Sequence, residues 1–354
     1  MAGLRVWADI LTPKQVLFFG PVVKELESRG CEVMVTSREY REVGPLAERV
    51  GLRMATVGER GGKSPEEQLV AATERQAEII PLVKSFAPDV AMSTASAVCA
   101  RVSFGLRVRH VAVNDSPHSE VAGRLSLPLS YHLLCPWVIP YRAWRPFGLS
   151  ERQVSKYRAL DPAAWLKRRA PRRGPIPRLD GRRATLTIRL PESDAPYLFG
   201  SKRTWAVEVL ESLVKAFTEC NLVALCRYGY QVEEVRTRFA DKITVPEEVV
   251  DGRALLQLTD AFIGMGGTMS AEAALMGVPS ISAFQGSYHV ERYLHTAGLL
   301  AKVSRTSDLV RKTKTMLSPR FKEGFAKRAE KVLHSMEDPV PKIASCVLKA
   351  AEQG

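Results

Sequence analysis

Several features that define other classes of protein are missing from this sequence. No segment approaches the roughly 18 uninterrupted apolar residues of a transmembrane helix, and residues 4–8 form a strand-like start where a signal peptide would have its apolar core. We therefore expect a cytoplasmic protein, with peripheral contact to a membrane as the alternative. The six cysteines include no Cys-X-X-Cys pair, so neither a zinc site nor a disulfide framework is indicated.

Signatures of metal-dependent catalysis and of nucleic-acid binding are also absent. No Asp-X-Asp pair is placed to hold Mg²⁺, and no aromatic-basic RNA signature or zinc-finger spacing occurs. What the sequence does have is excess positive charge, with 51 Lys and Arg against 38 Asp and Glu and a net charge of +13. This charge favours an anionic partner: a nucleoside diphosphate, a phospholipid surface or, as the weakest alternative, nucleic acid.

The order of predicted elements indicates two α/β domains. At 354 residues the chain is long enough for about two domains. Strand-like runs and amphipathic helical stretches alternate twice, which predicts two mostly parallel sheets. The predicted strands are residues 4–8, 32–36, 89–92, 110–113, 184–188, 222–226, 243–245 and 258–263, and the clearest helices are 16–29, 204–220 and 342–352.

A basic, proline-rich stretch separates the two halves. Residues 167–174 and the pair Arg182 and Arg183 flank prolines between 171 and 177, which is typical of a solvated connector. We predict an N-terminal domain over residues 1–165, a linker over 166–183 and a C-terminal domain over 184–337. Residues 338–354 are predicted to form a helix that packs back on the N-terminal domain.

The most informative motif follows the predicted strand 258–263. Gly264, Gly266 and Gly267 allow a tight turn and close approach of a ligand. Thr268 or Ser270 then caps a predicted helix that ends at Gly277. Backbone N–H groups at such a turn suit a diphosphate, although a purely structural turn of an α/β fold fits the same residues.

Together these features resemble the GT-B superfamily, which includes glycosyltransferases and UDP-N-acetylglucosamine 2-epimerases. Residues 7–19, 37–40, 113–115 and 265–272 are similar to a largely archaeal family of unknown function related to that superfamily. The resemblance covers nearly the whole chain. It implies two Rossmann-like, doubly wound α/β domains that face each other across a cleft.

The superfamily pattern implies that the C-terminal domain binds a donor nucleotide. Glu272 would hold the ribose, while Gly266, Gly267 and Thr268 would donate to the diphosphate. Arg189 would reach the phosphates, and Arg227 is the weaker candidate for that role; a surface ion pair is the alternative for each arginine. Pro246, after the predicted strand 243–245, lies where relatives hold the base through backbone atoms.

The N-terminal domain would bind the acceptor or the sugar. Asp9, at the end of a predicted strand, is a candidate base toward an acceptor hydroxyl, and capping of backbone N–H groups is the alternative. Asp115 and His118 lie in a polar loop, where Asp115 could orient a histidine that titrates near neutrality. Lys14 and Gln15 stand where we expect relatives to carry histidine, so no catalytic role is predicted for them.

These residues favour a metal-independent glycosyltransferase that uses a nucleotide-diphosphate sugar, first of all a UDP-sugar, and no other cofactor. The acceptor is not identified, and a lipid phosphate is the first candidate if the protein contacts a membrane. A sugar-nucleotide epimerase or hydrolase is the first alternative. However, the histidine expected of an epimerase is missing from residues 187–192, and the acidic residues expected of it are missing from residues 93–95. The second is a non-catalytic protein that binds nucleotide, membrane or nucleic acid. For that protein the apolar and basic residues 131–144 would form an interfacial patch rather than a buried strand.

Overall fold

The computed structural model describes residues 3–62, 64–170, 174, 176–191 and 203–353. The chain divides into two compact units. The first comprises Met1–Arg172 and Glu337–Gly354, and the second comprises Arg173–Met336. Part of the predicted linker, residues 171–173 and 175, lies outside the described residues.

The first unit contains a parallel sheet with helices packed on it. Strands β1 to β7 of its described part are Arg5–Asp9, Glu32–Ser37, Ala55–Thr56, Val90–Ser93, Arg109–Val113, His132–Pro136 and Val154–Tyr157. Helices α1 to α6 are Pro13–Ser28, Val43–Val50, Pro65–Phe86, Ala97–Gly105, Glu120–Ser126 and Ala163–Leu166. The strand order is β3-β2-β1-β4-β5-β6-β7, with every pairing parallel. The order reverses between β1 and β4, where an open parallel sheet binds ligands.

The second unit repeats this design with fewer strands. Its described strands β8 to β12 are Thr185–Arg189, Asn221–Leu225, Ala261–Gly264, Ser280–Ser282 and Ala301–Lys302. Helices α7 to α13 are Arg203–Ala216, Gly229–Phe239, Gly252–Leu256, Met269–Leu275, His289–Thr296, Thr306–Met316 and Pro319–Ser335. The order is β12-β11-β10-β8-β9, again all parallel. The two parallel sheets confirm the predicted α/β fold with two Rossmann-like units.

The last helix, α14 (Pro339–Glu352), belongs to the first unit. It begins three residues before the predicted start because Asp338 caps it, accepting a hydrogen bond from the Val340 N–H at 3.1 Å. Val340, Ile343 and Val347 on one face are fully buried, and the helix contacts α1, β4 and β5. Its apolar face is therefore part of the core of the first unit.

One expectation from the sequence needs correction, and one alternative loses its support. Residues 243–245 are not a strand: Thr244 forms a single isolated bridge to Val223, because the chain only touches the edge of the sheet there. In residues 131–144 the apolar side chains Leu133, Ile139 and Trp144 are fully buried around β6. These side chains belong to the core and do not form the interfacial patch of the non-catalytic alternative. In the described part of the chain, no helix has both the length and the apolar character required to cross a membrane.

Candidate functional site

The carboxyl ends of three strands converge at the glycine turn of the second unit. Gly264, the last residue of β10, lies in register with Arg189 at the end of β8 and with Ser282 at the end of β11. The strand order reverses between β8 and β10. Loops that leave such a point diverge and open a crevice for a ligand.

The turn after Gly264 exposes a row of backbone donors. Gly266 and Gly267 have φ of +109° and +86°, which only glycine adopts without strain. The N–H groups of Gly266, Gly267 and Thr268 make no hydrogen bond to any other described residue. Helix α10 starts at Met269, with Thr268 at the N-cap position, but the Thr268 side chain makes no capping bond. Since α10 has only seven residues, we attribute the donor capacity to the individual N–H groups of the turn.

The predicted side chains surround this turn. Glu272 lies in the first turn of α10 and is buried, with 7% of its surface exposed. Arg189 is half-buried at the end of β8. Arg227 follows β9 by two residues, and its N–H donates to Gln231 Oε1 at 2.8 Å. The structure therefore brings Arg189 and Glu272 to the turn and places Arg227 one strand further out.

A second buried carboxylate at this edge was missed by the sequence reasoning. Glu291, near the start of α11, accepts a hydrogen bond from Ser282 Oγ at 2.9 Å. Burial raises its pKa above the usual range, while Ser282 and Lys302 oppose the rise. The available signal was a glutamate one turn into a helix that follows a strand end.

In the first unit, Asp9 occupies the equivalent position at the strand reversal. Its carboxylate is fully buried and bonds Arg75 of α3, with Nη2 to Oδ1 at 2.6 Å and Nη1 to Oδ2 at 3.2 Å. Thr36 Oγ1 and Ser96 Oγ also donate to it, at 2.8 and 2.6 Å. Every donor thus comes from a different element, and the carboxylate has no exposed surface.

This geometry corrects the prediction that Asp9 is the base toward an acceptor hydroxyl. A base must reach the proton that it removes, and the oxygens of Asp9 are already occupied by buried donors. The alternative, in which Asp9 caps backbone N–H groups, is also not what the structure has. Asp9 accepts hydrogen bonds from the side chains of Thr36, Arg75 and Ser96. Arg75 was not recognised because its partner lies 66 positions away.

Lys14 lies at the centre of a more accessible cluster. Its Nζ is 2.6 Å from Asp115 Oδ2 and 2.8 Å from Asp161 Oδ2. Tyr157 donates to Asp161 Oδ1 at 2.5 Å, and Ser116 donates to Asp115 Oδ1 at 2.7 Å. The Lys14 and Asp115 side chains have exposed fractions of 20% and 12%, whereas Asp161 has only 5%.

The surroundings of the cluster shift the pKa values of Asp115 and Asp161 in opposite directions. For Asp161, burial and the neighbouring charge of Asp115 raise the pKa to about 6, although Lys14 opposes the rise. For Asp115, burial acts upward, but Lys14 and Ser116 outweigh it and hold the pKa below the usual range. Burial lowers the pKa of Lys14, but the two carboxylates raise it by more, so the pKa lies above the usual range. At neutral pH the cluster is therefore one ammonium between two carboxylates, of which Asp161 takes up a proton first.

The predicted pair of Asp115 and His118 is only partly recovered. The charge of His118 acts on Asp115, but the bonds that orient Asp115 come from Lys14 and Ser116. Lys14 lies in the first turn of α1, which Thr12 caps, and was assigned no catalytic role. Asp161 and Tyr157 were missed, although Asp161 follows a strand end just as Asp115 does. Among the described residues, no group of three or more His, Cys, Asp or Glu is arranged to hold a metal ion.

Comparison with known proteins places this fold in a family. A family model described as "Protein of unknown function (DUF354)" matches residues 4–352. The chain belongs to the DUF354 family. A relative from Methanocaldococcus jannaschii, "Uncharacterized protein MJ0665", is 28% identical over 302 residues, 83% of this chain and 86% of the relative.

Solved structures similar to this DUF354 protein have the GT-B fold. UDP-GlcNAc 2-epimerase from Neisseria meningitidis bound to UDP-GlcNAc matches with a TM-score of 0.73, 12% identity and coverage of 99% of this chain and 100% of the other. The MnaA-UDP structure from S. aureus matches at 0.78, with 14% identity and coverage of 99% and 97%. The glycosyltransferase VinC with dTDP matches at 0.60, with 15% identity and coverage of 99% and 100%. At these identities the likeness establishes the fold.

Replacing Asp9 tests whether its carboxylate stabilises the fold. Asp9→Asn leaves the Arg75 guanidinium buried without a counter-ion, and we expect the free energy of unfolding to fall by about 3–5 kcal/mol. Urea unfolding followed by tryptophan fluorescence measures this change. The control is Asp308→Asn, which removes an exposed pair with Arg311 and should change the free energy of unfolding far less, because solvent screens exposed pairs. A variant that keeps its stability but loses turnover would restore Asp9 as the catalytic base.

The raised pKa of Asp161 predicts a pH-dependent stability. Between about pH 4 and 6 the folded protein keeps the Asp161 proton that the unfolded chain has released, so this residue's contribution to stability falls as pH rises through that window. The Asn side chain of Asp161→Asn does not titrate. The unfolding free energy of wild type relative to Asp161→Asn should therefore fall by roughly 2–3 kcal/mol from pH 4 to 7. Parallel stability curves for the two proteins would contradict the assignment.

Proposed function

We propose that this protein is a glycosyltransferase that uses a nucleotide-diphosphate sugar, with a UDP-sugar as the first donor to test. The observation that carries the proposal is the row of unbonded N–H groups at Gly266, Gly267 and Thr268, next to buried Glu272 and to Arg189. The GT-B folds solved with UDP, UDP-GlcNAc or dTDP support it by likeness of fold.

Each group at the turn matches one part of such a donor. The N–H groups would donate to the diphosphate oxygens, and the Arg189 guanidinium would offset their charge. The Glu272 carboxylate would accept hydrogen bonds from the ribose hydroxyls. The backbone N–H groups and the Arg189 side chain would thus stabilise the leaving diphosphate without a metal ion.

Asp115 is the candidate base in the first unit. The acceptor hydroxyl oxygen would form a bond to the anomeric carbon, while the bond from that carbon to the diphosphate oxygen breaks and the nucleoside diphosphate leaves with the electron pair. The hydroxyl proton would pass to Asp115. Lys14 keeps Asp115 ionised at neutral pH, and the proton moves late, once the bonded oxygen has become acidic.

Calorimetry with UDP, GDP, dTDP, ADP and CMP tests the donor site. We expect selective binding of one nucleoside diphosphate and a roughly 10- to 100-fold loss of affinity in Glu272→Ala, because a hydrogen bond to a charged group contributes about 1.5–3 kcal/mol. Glu211→Ala is the matched control, because Glu211 is an exposed helical glutamate outside this edge. Absence of binding by all five nucleotides, or equal binding by Glu272→Ala, would overturn the donor site.

A sugar-nucleotide epimerase or hydrolase is the second candidate. Two observations favour it: the solved epimerase from N. meningitidis fits this chain with a higher TM-score than VinC, and Asp115 and Asp161 have pKa values displaced in opposite directions. A pair of carboxyl groups separated in acidity suits removal and return of a proton.

Incubation with the selected nucleotide sugar, with and without acceptors, separates the candidates. A transferase consumes donor only with an acceptor, whereas an epimerase or hydrolase forms product without one. We expect Asp115→Asn to lower kcat by roughly 10²–10⁴-fold and to keep nucleotide affinity, while Asp308→Asn changes neither. Full activity of Asp115→Asn would remove Asp115 as the base. Nucleotide binding without any turnover would favour the non-catalytic alternative.

A further inference from the structure

Arg38 is a partly buried cation of the first unit. It follows β2, and its side chain is only partly exposed. Its Nε is shielded from solvent and has no hydrogen-bond partner, and no ion pair or hydrogen bond joins its guanidinium to any described residue. A buried N–H donor without a partner is costly, so this side chain favours an anionic ligand that accepts a hydrogen bond from it.

Two further arginines lie on the loops beside it. The Val57 N–H donates to Ser37 O at 2.9 Å and the Glu39 N–H donates to Gly58 O at 2.8 Å, so the chain after β3 runs alongside the chain after β2. Arg75 Nη2 lies 3.3 Å from Ser37 O, directly before Arg38. Arg60, on the second loop, stacks over the Tyr40 ring at 5.4 Å.

The local backbone is built for this approach. Gly58 has φ of +69°, and a Cβ there would come within 2.8 Å of Arg75 Cβ. Only glycine therefore lets the loop pack against Arg75, whose Nε donates to Val57 O at 2.9 Å. The arrangement holds the loop that carries Arg60 next to Arg38.

Arg38 lies among other cations. The Asp9 carboxylate is bonded to Arg75, and burial together with the charges of Arg60 and Arg75 lowers the pKa of Arg38 to about 10. The Asp9 carboxylate thus neutralises Arg75, while Arg38 keeps its own positive charge close to two other guanidinium groups. A phosphate group would offset this charge, because guanidinium groups bind phosphate oxygens through paired N–H donors.

We propose that Arg38, with Arg60 on the neighbouring loop, forms a phosphate-binding subsite at the carboxyl edge of β2. Arg75 holds the two loops in place through its bonds to Ser37 O and Val57 O. The ligand of the subsite carries a phosphate group, either on a small phosphorylated molecule or on a lipid headgroup. If the protein is the proposed glycosyltransferase, the subsite holds a phosphorylated acceptor; this role rests on the proposed function. Phosphate binding itself does not depend on that function.

Phosphate titration of the full-length chain tests the subsite. Inorganic phosphate and glycerol 3-phosphate are titrated by calorimetry, and Tm is recorded with and without each. We expect binding that weakens at least 10-fold in Arg38→Gln and is reduced in Arg38→Lys, which keeps the charge but loses the paired donors. Without phosphate, Arg38→Gln should have an equal or higher Tm than wild type, because an uncompensated charge is removed. The Tm rise caused by phosphate should disappear in this variant.

Controls separate this subsite from the donor site. Arg53→Gln, an exposed arginine of the same unit, should bind phosphate like wild type. Glu272→Ala should keep the Arg38-dependent binding, and Arg38→Gln should keep nucleotide affinity, so failure of one site does not imply failure of the other.

Co-sedimentation with phosphatidic acid and phosphatidylcholine vesicles tests the lipid source. Pelleting that depends on Arg38 assigns a lipid phosphate, and glycerol 3-phosphate binding without pelleting assigns a soluble one. No binding of either kind, or binding unchanged in both Arg38 variants, would overturn the subsite.

Discussion

The buried carboxylate of Asp9 is the constraint on which the first unit depends. It binds groups from β2, from α3 and from the residue that caps α4, so it fixes the carboxyl edge where the loops after β1 and β4 begin. Because desolvating a carboxylate and a guanidinium is expensive, the pair is stable only with all of these hydrogen bonds present. Its position also explains the neighbouring sites. Arg75 is neutralised, Arg38 is left with excess charge, and Lys14 takes its counter-ions from Asp115 and Asp161 instead.

The two units present different chemical groups at the same edge of similar sheets. In the second unit the donors are mainly backbone N–H groups, which glycine exposes by its freedom of φ at Gly266 and Gly267. In the first unit they are side chains: an ammonium between two carboxylates, and a group of guanidinium ions. Backbone donors suit a diphosphate common to many substrates, whereas side chains supply proton transfer and selectivity. The proposed division into donor and acceptor functions follows from this difference.

The fold was predictable from the sequence because it depends on local patterns. Alternating apolar strands and amphipathic helices, and glycine at the strand ends, indicate parallel α/β units whatever the tertiary contacts. The glycine turn with Glu272 could be recognised because its members are close in sequence. The Lys14 cluster could not, since Asp115 and Asp161 follow different strands and meet Lys14 only in the folded chain. Asp9 was misassigned for the same reason: its burial depends on Arg75, far away in sequence. The strand predicted at residues 243–245 was wrong, because β-branched residues also occur beside the edge of a sheet without pairing along it.

A crystal structure of the full chain grown with UDP would show whether the second sheet binds the donor nucleotide. We expect diphosphate oxygens within hydrogen-bond distance of the N–H groups of Gly266, Gly267 and Thr268, with the ribose hydroxyls on Glu272. UDP bound elsewhere, or those N–H groups still without a ligand at saturating UDP, would contradict the claim that this edge of the second sheet binds the donor.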